Sequence, residues 1–334
     1  MHSGRKCKDG GAQAAEQPAG GLCPHCSRAF ALPDLVFVLL VLGFLASLSI
    51  ATLRRHGPKA EALQCLANLR RVTAAVAMYA GDNSDLFPPN PDDGTTEAGY
   101  NWCGGSVMGG MPPGSPADPG MTDSDLLKDP NTCLVTPYLL GDIGGFRCPA
   151  DPRYGAYGGS DPAQMGEVIP AVRSISMNGG VGTLDPVFHA HGAGHGGKPT
   201  VLTNGPWLTG SHGYKADSPY ATFGKTTDFA GASPARILIL ADESPWTIND
   251  ASLSVCAGSP MILDAPAIGH NHGGSFSFGD GHAELHRWGS QLLEIETPGP
   301  AVAQAAGGPG APAYEDWHWL AWHATVNLKT GTVP

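Results

Sequence analysis

Positive charge is scarce in this chain. Lys and Arg total 19 against 30 Asp and Glu, a formal net charge of −11. Phosphate binding requires a basic footprint, and past the N-terminal Arg5, Lys6 and Lys8 the basic residues pair only as Arg54 with Arg55 and Arg70 with Arg71, which argues against nucleic acid as a partner. Catalytic frameworks are missing too. There is no Gly-x-Ser-x-Gly, no P-loop and no paired-carboxylate arrangement, so the sequence does not read as an enzyme. A second long apolar run is absent, and no small-x-small cleavage site follows the one that exists. The lone CxxC, Cys23 with Cys26, has only His2, Cys7 and His25 near it, which is short of the second ligand pair that a zinc site needs.

Glycine and proline are abundant, 47 and 30 residues, which predicts a loop-rich chain. Residues 1–29 are polar, aperiodic and rich in Gly and Ala, and they read as a leader. Residues 35–53 carry no charge. As a helix of about 1.5 Å per residue that run is predicted to cross a bilayer once, with everything after residue 56 on one side. Arg5, Lys6, Lys8 and Arg28 ahead of it favour a cytoplasmic N-terminus. Asp34 sits at the mouth of the run, where a carboxylate is costly and needs a role.

Gly57 and Pro58 predict a kink, after which helix resumes over residues 59–80. Cys65, Leu69, Val72, Val76 and Tyr79 form one apolar stripe at spacings of four and three, with Gln64, Asn68, Arg70 and Arg71 turned away. Turn formers end the helix. Residues 90–132 are rich in Gly, Pro and Asp and read as an irregular insertion. "SISMN" and "RILILAD" read as strands. "GSFSF" and "HAELHRW", joined by Gly279, Asp280 and Gly281, read as a hairpin. A Pro/Gly/Ala linker and an aromatic tail, "YEDWHWLAWH", close the chain.

Several of these pieces resemble, in order, the prepilin-type proteins with an N-terminal cleavage and methylation segment. That family has a short polar leader, a small residue and Phe-Thr-Leu-Ile-Glu running into a hydrophobic helix. Here Ala29 precedes "FALPDL", with Ala in place of the usual Gly, Pro33 in place of Ile and Asp34 in place of Glu. "CLANLRRVTAAVAMYAGDNSDLFPP", "FRCPADP", "SISMNG" and "LADE" are similar to further family motifs. So is His270 followed, after nine residues, by Asp280 and Gly281. The resemblance covers roughly residues 28–290.

The resemblance implies an α+β, pilin-like fold: one long N-terminal helix, half membrane-spanning and half amphipathic, packed on an antiparallel sheet with long loops. The implied domains are a leader (1–29), a transmembrane N-terminal helix (30–56), a head (57–290) and a linker with tail (291–334). The implied function is a pseudopilin-like structural subunit of a type II secretion or type IV pilus-like filament. It would be cleaved between Ala29 and Phe30 and methylated, with Asp34 neutralising the new Phe30 amine of a neighbouring subunit. The implied partners are the prepilin peptidase, other pilin or pseudopilin subunits, an inner-membrane assembly platform and membrane lipid. The implied location is the inner membrane, single-pass, with a periplasmic or extracellular head. The competing role for Asp34 is an N-cap of the span.

No resident cofactor is expected. Two weaker metal sets stay open: a transition metal on His282, Glu284 and His286, which share one strand face, and calcium on Asp82, Asn83 and Asp85. His189, His191 and His195 add to the histidine content. Disulfides between Cys65 and Cys148, and between Cys103 and Cys133, are the pairings considered for an oxidising compartment. The alternative functions are a membrane-anchored periplasmic metal-binding protein or hydrolase, and a carbohydrate- or partner-binding module using Trp317, Trp319 and Trp322.

Overall fold

A computed structural model describes residues 32–53, 57–92, 94, 96–184, 205–211, 217–296, 303–305 and 307–332. The chain forms two compact units, residues 1–54 and 55–334. The described part of the first is one helix, α1 (Leu32–Leu53).

The N-terminal region is therefore two helices, not the single long helix that its sequence predicts. The second, α2 (Pro58–Asp82), starts afresh because Gly57 is extended and Pro58 occupies the first turn, where its missing N–H costs nothing. Among the described residues no helix is long and apolar enough to cross a membrane. This corrects the predicted transmembrane span and, with it, the single-pass inner-membrane location. The physical reason lies at the ends of α1. Asp34 falls in its first turn, and Ser47, Ser49 and Thr52 in its last two, leaving twelve uninterrupted residues, 35–46. As helix these extend about 18 Å, against roughly 30 Å of hydrocarbon.

The second unit is built on a five-stranded sheet in the order β5 (Ser252–Leu253), β3 (Ile175–Asn178), β4 (Leu238–Asp242), β7 (Gly273–Phe278), β8 (Ala283–Arg287). The sheet is mixed, not antiparallel: β5 runs parallel to β3 while the other pairs are antiparallel. β5 is two residues long, too short to leave a periodic signal in the sequence. Two further antiparallel pairs lie outside it, β1 (Tyr154–Ala156) with β2 (Val168–Pro170) and β6 (Met261–Ile262) with β9 (Ala303–Gln304).

Two cores cover the two faces. In one, Cys65, Leu69, Val72 and Val76 of α2 meet Ile175, Met177 and Ile239. In the other, Trp317, Leu320 and Ala321 of α4 (Pro312–Ala324) meet Leu238, Phe276 and Phe278. This explains the Phe/Ser alternation of β7. The phenylalanines face α4, and Ser277 faces α2, its hydroxyl 2.6 Å from Thr73 Oγ1. Small serines on that side let α2 approach the sheet closely, and both are fully buried.

The insertion between α2 and β1, with its short helix α3 (Asp125–Lys128), is tied down by two arginines with no solvent exposure. Arg153 grips the Asp151 carboxylate through Nε and Nη2 and donates to the carbonyls of Val107 and Arg173. Arg173 donates to the carbonyls of Gly105, Ile175 and Asp250. Apart from Ile175 in β3, these are loop carbonyls, and guanidinium forks satisfy them in place of strand partners.

Candidate functional site

Four side chains from four separate segments converge where the start of α2 meets the end of β4. Cys65 comes from the buried stripe of α2. Cys148 follows a short 3-10 helix (Ile143–Phe146), and Asp242 ends β4. His270 lies in the loop entering β7. One donor atom from each lies within 4.8 Å of the others. All four residues are buried, with exposures of 1, 1, 3 and 5% for Cys65, Cys148, Asp242 and His270.

The local wiring fixes three of them. Cys148 Sγ is 3.1 Å from His270 Nε2. The Cys148 backbone N–H donates to Ser174 Oγ (2.8 Å), and that hydroxyl donates to Asp242 Oδ1 (2.6 Å). The electrostatics are those of a dry site. Burial pushes the Asp242 carboxyl up to about 7, opposed by hydrogen bonds from Ser174 and Cys148. Its neighbour Glu243, held by Ser176 and Thr247, is pushed by burial to about 8. The Cys148 thiol is raised by its hydrogen bond with Cys65 and by burial. Burial lowers the pKa of His270, so its imidazole is neutral. A neutral imidazole and, once deprotonated, the carboxylate and the two thiolates are all competent metal donors.

Beside the cluster is a cavity of about 420 Å³, whose wall includes Asp242, Gly269 and Ala150. Acidic groups ring it, among them Asp151, Glu243 and Glu294, with His272 paired to Glu294 at 3.2 Å.

Residues singled out in the sequence fall as follows. Ala29 and Phe30, and with them the cleavage position, lie outside the described residues, as do His189, His191 and His195. Asp34 is in the first turn of α1. Cys65 and Cys148 come together, as free thiols rather than a disulfide, and Cys103 and Cys133 also meet as a buried thiol pair. His270 and Asp280 are separated by the length of β7 and do not share a site. Asp280 shapes the β7–β8 turn, its Oδ1 accepting from the His282 backbone N–H (3.1 Å), and Gly281 has a φ of +87°, which favours glycine. The His-x9-Asp-Gly spacing is thus one strand with a residue of the buried cluster before it and a turn after it.

His282, Glu284 and His286 do not converge. His282 pairs with Asp280 at 2.5 Å and stacks on Phe278, while Glu284 is exposed. At the end of α2, Asp82 accepts from the Tyr138 hydroxyl, Asn83 caps Tyr79, and Asp85 takes a left-handed φ. Among the described residues, the Cys65, Cys148, Asp242 and His270 group is the one in which three or more Cys, His or acidic donors meet. Asp242 had no assigned role in the sequence. The available signal was a pair of acids ending an otherwise apolar strand, "RILILADE".

His286 gives a pH prediction. Its ring stacks on Trp319, centroids 3.8 Å apart, and burial holds its pKa down at about 4. Of the charges facing it, Asp316 opposes that shift and His323 adds to it. A histidine kept neutral contributes stability that is full above its ordinary 6.5 and is lost as pH falls towards 4. The ring is only half-buried, so screening reduces the effect to about 1–2 kcal/mol. Relative to His286→Phe, which keeps the stack, the parent should lose that amount across this window in urea titrations. Parallel profiles would contradict the assignment.

Comparison of the chain with known protein families, with curated proteins and with solved structures finds no match.

Proposed function

We propose that the chain is a pilin-like structural subunit with no catalytic activity, assembled through α1 with other subunits into a filament. The observation that supports this best is the surface of α1. Leu35, Phe37, Leu40 and Phe44 are each more than half exposed, and residues 35–44, almost three helical turns, carry no polar side chain. A helix of that kind is stable in water only when other surfaces cover it. Copies of the same helix supply such a surface, as in other helical assemblies.

The motif order supports the same reading, with processing by a prepilin peptidase between Ala29 and Phe30. Asp34, in the first turn of α1, then meets the new Phe30 amine of the next subunit. A buried ammonium requires such a partner. Asp is one methylene shorter than the family's Glu, so the two backbones approach more closely.

The N-terminus of the protein in its native assembled form tests the proposal. Mass spectrometry should find a chain beginning at Phe30, N-methylated. An assembled chain still carrying residues 1–29 contradicts the reading. Asp34→Ala should be cleaved normally yet lose incorporation by ~100-fold or more, the expected consequence of stranding a buried charge. Unchanged incorporation removes the role given to Asp34.

A further inference from the structure

We infer that Cys65, Cys148, Asp242 and His270 bind one transition-metal ion of the zinc class, which pins α2 to the sheet. The inference is independent of filament assembly and rests on four observations.

First, the donor atoms are close enough. Zinc held at about 2.0–2.3 Å places its tetrahedral ligands about 3.3–3.8 Å apart. All four donors already lie within 4.8 Å of one another, and the Cys148 Sγ to His270 Nε2 separation is 3.1 Å. Side-chain adjustments of well under an ångström per ligand close the set.

Second, the chemistry is selective. Two sulfurs with an imidazole and one carboxylate suit zinc and disfavour magnesium or calcium, which take oxygen ligands. Binding displaces to solvent the two thiol protons, and the Asp242 proton where its carboxyl carries one, forming two metal–thiolate bonds and a metal–carboxylate bond beside the neutral imidazole.

Third, the cluster makes poor sense as ordinary core. Burying a carboxyl and an imidazole is costly unless their polar atoms are used, and His270 Nε2 faces the Cys148 sulfur, a weak hydrogen-bond partner but a strong co-ligand. A disulfide between Cys65 and Cys148 would use the sulfurs and leave Asp242 and His270 unexplained.

Fourth, the ligands come from α2, the loop after a 3-10 helix, the end of β4 and the entry to β7. Four protein ligands complete a tetrahedron, which is the pattern of a structural site rather than a catalytic one. The neighbouring cavity, which reaches Asp242, provides the entry path such a site needs.

The test uses the full chain purified without chelator. Elemental analysis should give about one zinc per chain, with Cys65 and Cys148 protected from alkylation until the metal is removed. Exchange with Co2+ should produce the intense visible bands of tetrahedral cobalt and a thiolate charge-transfer band. His270→Ala should weaken cobalt binding by more than ~100-fold, beyond what loss of an outer-shell partner causes. His270→Cys should retain binding and strengthen the charge-transfer band. Metal well below stoichiometry with no cobalt bands in the parent overturns the inference. So does a disulfide between Cys65 and Cys148 in the natively purified chain, or a folded His270→Cys variant whose cobalt spectrum is unchanged.

Discussion

Arg153→Met is expected to destabilise the second unit by about 3–5 kcal/mol, the usual cost of removing one partner of a buried ion pair. Methionine fills most of the space of the arginine stem, so the loss would be electrostatic and not a cavity. It strands the buried Asp151 carboxylate, whose side chain is 2% exposed. It also leaves the Val107 and Arg173 carbonyls without the donors that hold the insertion against the sheet. Against a typical domain stability of about 5–15 kcal/mol, that is a large share. Urea midpoints at constant m-value measure it. The double variant Asp151→Leu with Arg153→Met should recover part of the loss, because no lone charge then remains. A single-variant cost below about 1 kcal/mol would mean that the pair is solvated in solution.

Trp317→Ala is expected to cost a further about 3–5 kcal/mol, the range for truncating a buried Phe or Trp. Trp317 is fully buried in the α4 core, and its indole N–H donates to the Cys256 carbonyl at 2.7 Å. Trp322, half-buried under the Arg236 guanidinium at 3.7 Å, should cost only about 1 kcal/mol when truncated. This ordering separates a packed helix from a ligand-binding aromatic patch. If Trp317→Ala left thermal unfolding unchanged and abolished binding to a carbohydrate or protein partner, the patch would be the better account.

The two outcomes bear on how much of the molecule is legible in its sequence. The stripe Cys65, Leu69, Val72 and Val76 is legible because periodicity encodes one buried face, and all four are in the α2 core. The β7–β8 hairpin is legible because its turn needs glycine at a positive φ. The buried arginines are not. Arginine ordinarily reads as surface, and nothing local to Arg153 or Arg173 announces the loop carbonyls, contributed from residues 105 and 107, that they satisfy.

The N-terminal region misleads for a different reason. Counting uncharged residues from 35 to 53 treats Ser47, Ser49 and Thr52 as apolar and ignores Asp34 in the same helix. The candidate site was visible only in fragments. Cys65, Cys148 and His270 each belonged to a recognisable motif, and Asp242 closed a fourth. Which motifs meet is a long-range property, set by the order β3-β4-β7 and by the side of the sheet that α2 covers. In the histidine-rich strand, alternation puts His282, Glu284 and His286 on one face. In the fold that face is occupied by Trp319 and the turn acid Asp280, and Cys65, Cys148, Asp242 and His270 converge at the other end of β7.

The proposed zinc site draws four sequence motifs around one ion, and anomalous scattering at the zinc edge from crystals of the full chain locates that ion. The account predicts a single strong peak about 2.0–2.3 Å from Cys65 Sγ, Cys148 Sγ, an Asp242 carboxylate oxygen and a His270 ring nitrogen. A map with no peak there, and continuous density between the two sulfurs, would contradict it.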